Sequence, residues 1–221
     1  MIIKITQTES NTKQTYEIES ENFYFQAKLG SYNQREDITL FNDETTINGV
    51  YSPSSWTNYL PFKWLWGGVK ITRKFHLYKN ESAYGSIFYS ENGFLNSFCV
   101  VSLDSGDIFH CYCLSKGDFN YVSIYEGEKQ IALIETYLRT KDYKYTHKLY
   151  ILDDYNEFSE ALTFFALYYA NYNFSERFHM SKGSYYEKAW SYSKYNDKYD
   201  SKWRETHFPD ENFFGKTTLF K

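Results

Sequence analysis

Apolar and polar residues alternate in short runs from Ile2 to about Ile151, and clusters of Asn, Asp, Gly and Ser separate the runs. A period of two buries one face of a strand and leaves the other in water, and turn residues at this close spacing predict antiparallel hairpins. The runs are Ile2 to Thr6, Thr15 to Ile18, Phe23 to Leu29, Asp37 to Phe41, Thr46 to Tyr51, Val69 to Tyr78, Ala83 to Tyr89, Phe94 to Leu103, Ile108 to Leu114, Tyr121 to Tyr125, Gln130 to Leu138 and Tyr145 to Leu152. About a dozen strands in one open sheet would curl or split, and closure removes the exposed edges. A weak repeat runs through them: Leu40 to Asp43 leads to Ile47 to Val50, Leu77 to Asn80 leads to Tyr84 to Ile87, and Ile124 to Gly127 leads to Ile131 to Ile134. Each unit is a strand, a polar turn and a second strand, with Gly49, Gly85 or Ala132 near its start. A small residue there leaves room for a neighbouring backbone or a bulky side chain.

The alternation stops at Asp153. From there to Tyr172 the chain reads DDYNEFSEALTFFALYYANY, and its apolar residues cover the whole circumference of a helix instead of one stripe. Such a helix is buried. It falls short of the roughly 20 apolar residues that a bilayer requires, so it is expected inside protein. Asp154 stands three residues before Glu157, the spacing of a capping box, and the helix is expected over 155–172. The fold class predicted is mainly β: a closed antiparallel barrel around a central hydrophobic helix, with a C-terminal helical extension.

The chain therefore divides into 1–174, the barrel and its helix, and 175–221, an extension. Within the extension Ser184 and Glu187 make a second capping-box pattern, and no Gly or Pro follows as far as Arg204. Tyr185, Ala189, Tyr192, Tyr199 and Trp203 fall at helical spacing, which predicts an amphipathic helix over 185–204 with an aromatic face. That face either packs on its own domain or meets a partner, in which case Tyr185, Tyr192, Tyr199 and Trp203 are the contact residues.

Composition narrows the possible chemistry. The net charge of −4 argues against nucleic-acid binding, which calls for a basic face. The three cysteines, Cys99, Cys111 and Cys113, do not make a disulfide framework, and MIIKITQTES is not an export signal, so a cytoplasmic protein without a transmembrane segment is expected. His110-Cys111-Tyr-Cys113 could offer two thiolates from one strand face, but no second Cys pair completes a zinc site, and buried free thiols are the reading taken. Asp104-Ser-Gly-Asp107 is a turn. No nucleophile elbow, phosphate loop or HExxH helix occurs, so no catalytic residue, metal or cofactor is assigned.

The strand order, the hairpins around Leu77-Tyr78 and Ile124-Tyr125, the stretch Tyr145 to Leu152 and the helix Phe158 to Tyr172 resemble the tubby C-terminal domain. In detail the chain looks like the small bacterial tubby-like proteins grouped with the LURP-one-related and phospholipid scramblase-like families. The resemblance spans Phe23 to Phe174. It implies a closed barrel threaded by the helix, acting as a non-enzymatic module that binds anionic lipid head groups through basic side chains on the barrel wall. Between Glu44 and Glu81 the sequence has no acidic residue, and Lys63, Lys70, Arg73, Lys74 and Lys79 lie close to Trp56, Trp64 and Trp66. Lys and Arg donate charge-assisted hydrogen bonds to phosphate, and Trp suits a membrane interface. The candidate head-group residues are Lys63, Trp64, Trp66, Lys70, Arg73 and Lys74, and such a protein would lie peripheral to the membrane. Lys70 and Lys74 share one strand face while Arg73 points to the other, so the charges do not all converge. The alternative is a protein-binding regulatory or immunity protein that uses the aromatic C-terminal helix.

Overall fold

Along Gln14–Glu19 the side chains are buried and less buried in strict turn, with Gln14, Tyr16 and Ile18 inside and Glu17 and Glu19 in water. The same alternation in Tyr24–Leu29 puts Phe25, Ala27 and Leu29 inside. One face of each strand meets a core, and register is pinned because a one-residue slip would turn that face outward. The structure is a computed structural model and describes residues 1–10, 14–21, 24–30, 37–52, 70–71, 74–91, 97–141, 144–174, 184–186 and 195–209.

The strands are β1 (Ile2–Ser10), β2 (Gln14–Glu19), β3 (Tyr24–Leu29), β4 (Ile38–Phe41), β5 (Thr46–Tyr51) and β6 (Lys70–Ile71). They continue with β7 (Phe75–Lys79), β8 (Ser82–Glu91), β9 (Ser97–Leu103), β10 (Ile108–Lys116), β11 (Phe119–Glu126) and β12 (Lys129–Tyr137). After β13 (Arg139–Lys141) and β14 (Thr146–Ile151) come helix α1 (Ser159–Phe174), β15 (Ser184–Tyr186) and helix α2 (Trp203–His207). Twelve strands form an antiparallel ring in the order β8-β7-β5-β4-β3-β2-β1-β14-β12-β11-β10-β9, and pairing of β9 with β8 closes it. The short β6 adds to β8 at Ser90 and Glu91, and β13 pairs with β15 apart from the barrel. Each of the twelve expected runs overlaps one of these ring strands; Val69 to Tyr78 corresponds to β7 with the added β6, and β13 was not expected.

All three repeat units are adjacent hairpins, β4–β5, β7–β8 and β11–β12. The two glycines among their small residues have physical reasons. A Cβ on Gly49 would collide with the Phe75 ring and stand 3.0 Å from Phe164 Cζ of α1. A Cβ on Gly85 would stand 2.5 Å from the Ser102 carbonyl oxygen on β9.

Every one of the twelve ring strands supplies at least one residue to a single apolar core, and α1 supplies Ala161, Leu162 and Phe164 to Ala170. Leu162, Phe164, Phe165 and Leu167 are fully buried, and burial is unbroken from Ala161 to Asn171. Among the described residues no helix is long and apolar enough to cross a membrane.

Two helix expectations are corrected. The expected helix over 155–172 is a 3-10 turn over Asp153–Phe158 followed by α-helix to Phe174, and the Asp154 cap is not made. The first residues are drawn to the barrel rim instead. Asp153 pairs with the Met1 ammonium at 3.0 Å, and the Tyr155 hydroxyl donates to Glu126 Oε2 at 2.8 Å. These ties favour the tighter winding. The expected amphipathic helix over 185–204 is broken: Ser184–Tyr186 is strand, Asn196–Lys198 is a 3-10 turn, and only Trp203–His207 is α-helical, residues 187–194 lying outside the described residues. Between the 3-10 turn and α2, the Asp200 carboxylate accepts from the Lys202 N–H (2.8 Å) in a turn that opens α2.

Candidate functional site

The aromatic residues of the C-terminal segment sit on the outer wall of the barrel. Tyr195 packs on Phe98 of β9 and Tyr112 of β10, with centroids 5.6 and 4.9 Å away. Lys198 lies over Tyr125 of β11 (5.2 Å), and its backbone carbonyl accepts from the Tyr125 hydroxyl (3.0 Å). Tyr199 packs on Tyr121 at 4.5 Å, Trp203 joins Tyr121, Leu133 and Tyr150 in a second apolar cluster, and Phe208 packs on Tyr150 of β14 at 5.3 Å. Residues 195–208 therefore form a strap across β9, β10, β11, β12 and β14. Under it, Arg204 Nε lies 3.7 Å from Glu135 Oε1 with both side chains buried, and the Tyr150 hydroxyl donates to the same carboxylate (3.2 Å).

This decides where the partner-contact candidates lie. Tyr199 is half-buried and Trp203 is 6% exposed, each covered by the chain's own barrel. Tyr185 is in β15, and Tyr192 lies outside the described residues. Of the head-group candidates, Lys63, Trp64, Trp66 and Arg73 lie outside the described residues, as does Trp56. Lys70 stands on β6, opposite Glu91. Lys74 is exposed, with its ammonium 5.2 Å from the Phe88 ring centroid. Lys79 is drawn away from any basic cluster by a salt bridge to Glu160 of α1. Strand direction separates the two, because β7 runs from Phe75, beside Lys74, to Lys79 at the opposite rim.

Comparison with models of known protein families, with curated proteins and with solved structures finds nothing that matches. The chemistry is therefore read from side chains alone. The thiols are core groups: Cys99 and Cys111 face each other across β9 and β10 and are fully buried, and burial raises both well above the ordinary thiol range. Burial pushes the Cys113 thiol up to about 12. None is a thiolate at neutral pH, the form needed for attack or for metal binding. Among the described residues no group of three or more His, Cys, Asp or Glu side chains could hold a metal ion. His147 is also a core group, bonded through Nδ1 to the Thr136 hydroxyl (2.7 Å) and held neutral by burial.

The strap leaves the wall formed by β2, β3, β4 and β5 without such a covering segment among the described residues. There a groove of about 440 Å³ is lined by Tyr24, Gln26, Phe41, Asn42, Asp43 and Glu44. Gln26 and Phe41 are register partners on β3 and β4, and Tyr24 is one outward position from Gln26. The Gln26 amide donates to the Tyr24 hydroxyl at 3.3 Å. Asn42 Oδ1 accepts from the Glu44 and Thr45 N–H groups (3.0 and 2.7 Å), which fixes the turn carrying Asp43 and Glu44. Sequence reasoning did not find this site. Its only trace there is an aromatic residue ahead of an acidic turn, a pattern that many hairpins share.

Proposed function

We propose that the protein is a non-enzymatic binding module of the tubby-like type, in which α1 fills the hollow of the barrel and ligands are met on the outer surface. The observation that carries this reading is the set of contacts made at the two ends of α1. At its start Phe158 packs on Phe109 (5.0 Å), where β10 begins, and Tyr155 bonds to Glu126, where β11 ends. Toward its end Tyr168 packs on Phe75 (5.1 Å), where β7 begins, and the Tyr169 hydroxyl donates to Asn120 near the start of β11 (2.9 Å). With antiparallel strands, these contacts belong to opposite rims.

Filled in this way the barrel meets ligands from outside, and the described core groups Cys99, Cys111, Cys113, His147 and Tyr169 are held in neutral forms by burial. The ligand proposed is an anionic lipid head group, met by Lys70, Lys74 and the basic, Trp-containing stretch that includes Lys63 and Arg73. Support comes from the exposure of Lys74 and from the absence of acidic residues between Glu44 and Glu81. Flotation with vesicles containing phosphatidylserine or a phosphoinositide tests it. The protein should float at low salt, remain in the soluble fraction at high salt, and lose flotation when Lys70 and Lys74 are both changed to Glu. A chain that fails to float at low salt overturns the lipid reading.

A further inference from the structure

We propose that the groove between β3 and β4 is a binding site for a positively charged side chain, lysine or arginine, of a polypeptide partner. Two aromatic rings and two carboxylates line it, and each prefers a cation. Tyr24 is 48% exposed, and Phe41 stands beside it half-buried. Phe41 already takes a cation from its own chain, the Lys28 ammonium lying 5.1 Å from the ring centroid. The face of an aromatic ring carries the negative end of its quadrupole, so a second ammonium or guanidinium is attracted to Tyr24 in the same way.

The charges agree. Asp43 and Glu44 project from a turn that the Asn42 side chain holds in place, and neither makes an ion pair among the described residues. Behind the groove, β2 places exposed Glu17 opposite Gln26 and exposed Glu19 opposite Tyr24. Lys4 reaches Glu19 at 3.8 Å, a long contact between two exposed groups that neutralises little of this field. Glu17, Glu19, Asp43 and Glu44 stand here against Lys4 and Lys28, so the wall keeps a negative excess on a chain of net charge −4, and a basic partner is steered toward it and an anionic one repelled. The Gln26 amide, whose nitrogen donates to Tyr24, keeps its Oε1 as an acceptor suited to a guanidinium, while Asn42 Oδ1 is already engaged by the Glu44 and Thr45 N–H groups.

This site stands apart from the lipid reading. Tyr24 and the Asn42 turn lie at the rim of Lys79 and Glu160, since Thr46 and Asn80 bond to each other there, whereas Lys74 lies at the other rim.

The test is a fluorescence-anisotropy titration of the full chain with a labelled hexa-arginine peptide at low and high salt, with hexaglutamate as the charge-reversed control. Binding is expected with hexa-arginine only. Tyr24→Ala should weaken it about two- to fivefold, as expected for loss of one exposed cation–π contact. Asp43→Asn with Glu44→Gln should weaken it about five- to tenfold and flatten its salt dependence. Glu9→Gln, an exposed carboxylate elsewhere on β1, should leave it unchanged, and thermal melting should show all variants folded. Absence of hexa-arginine binding at low salt overturns the proposal. So does equal binding by the Asp43/Glu44 and Glu9 variants, which would mean attraction to net charge alone, or displacement of the peptide by a neutral oligosaccharide. Flotation with anionic vesicles should be unaffected by Tyr24→Ala, so the two sites can fail separately.

Discussion

Gly49 shows how little room the core leaves. Any side chain there must displace the Phe75 ring, which is itself held against Phe164, Tyr168 and Tyr51. Gly49→Ala is therefore expected to lower stability by about 1–3 kcal/mol, read as a lower urea midpoint, despite alanine's smaller entropy cost on folding. Thr163 should behave in the opposite sense. Its hydroxyl is fully buried in α1 with no hydrogen-bond partner among the described residues, so Thr163→Val, which keeps shape and branching, should be neutral or stabilising by about 1 kcal/mol. His147 ties stability to pH. Burial against Tyr16, Tyr145 and Thr136 lowers its pKa from 6.5 to about 3. Above pH 6.5 the ring is neutral whether the chain is folded or not, and it contributes no slope. Between pH 6.5 and about 3 the unfolded chain binds a proton that the folded chain refuses, so stability falls with pH by up to about 1.4 kcal/mol per unit. Urea midpoints measured from pH 7 to pH 4 should show this slope in the wild-type chain and a smaller one in His147→Gln. The small residues of the hairpin repeat were visible in the sequence because a missing side chain is a local fact. The neighbours that require them, Phe75 and Ser102, come from other strands and were not.

Among the elements, the strap depends most on one buried interaction. Arg204 and Glu135 are 4% and 2% exposed, and removing either leaves the other charged in an apolar setting. Arg204→Met should cost about 3–5 kcal/mol, and Arg204→Met with Glu135→Gln should recover most of that, since glutamine is neutral and still accepts from Tyr150. A cycle of thermal melts measures the recovery, and an uncorrected loss in the double variant would count against the ion pair. The strap also explains why a helix was expected at 185–204. Of the residues whose spacing predicted that helix, Tyr199 and Trp203 stand four apart, and both answer to the cluster around Tyr121 on the barrel wall. Neighbouring strands lie about 4.8 Å apart, close to the rise of a single helical turn, so a segment crossing a sheet and a helix on a flat surface yield similar periodicities. Asp200 and the surrounding Ser and Asn residues, weak helix formers, allow the broken path.

For the molecule as a unit, the shared core predicts one cooperative transition. Since the ring strands and α1 contribute to the same apolar cluster, a charge placed at Phe165, which is fully buried, should unfold the barrel along with the helix. Phe165→Asp is expected to abolish the near-ultraviolet aromatic signal and the far-ultraviolet strand signal together. A variant that keeps its strand signal would separate the helix from the barrel.

The strands and the buried helix were legible in the residues because alternation and unbroken apolarity are properties of neighbours along the chain, and burial follows from them with no knowledge of the partner. Closure of the ring was expected from the number of strands, but the pairing of β8 with β9 that achieves it, the strap across the outer wall and the groove beside Phe41 join residues far apart in sequence or on separate strands. Those features depend on which surfaces meet, and a one-dimensional pattern carries no record of that.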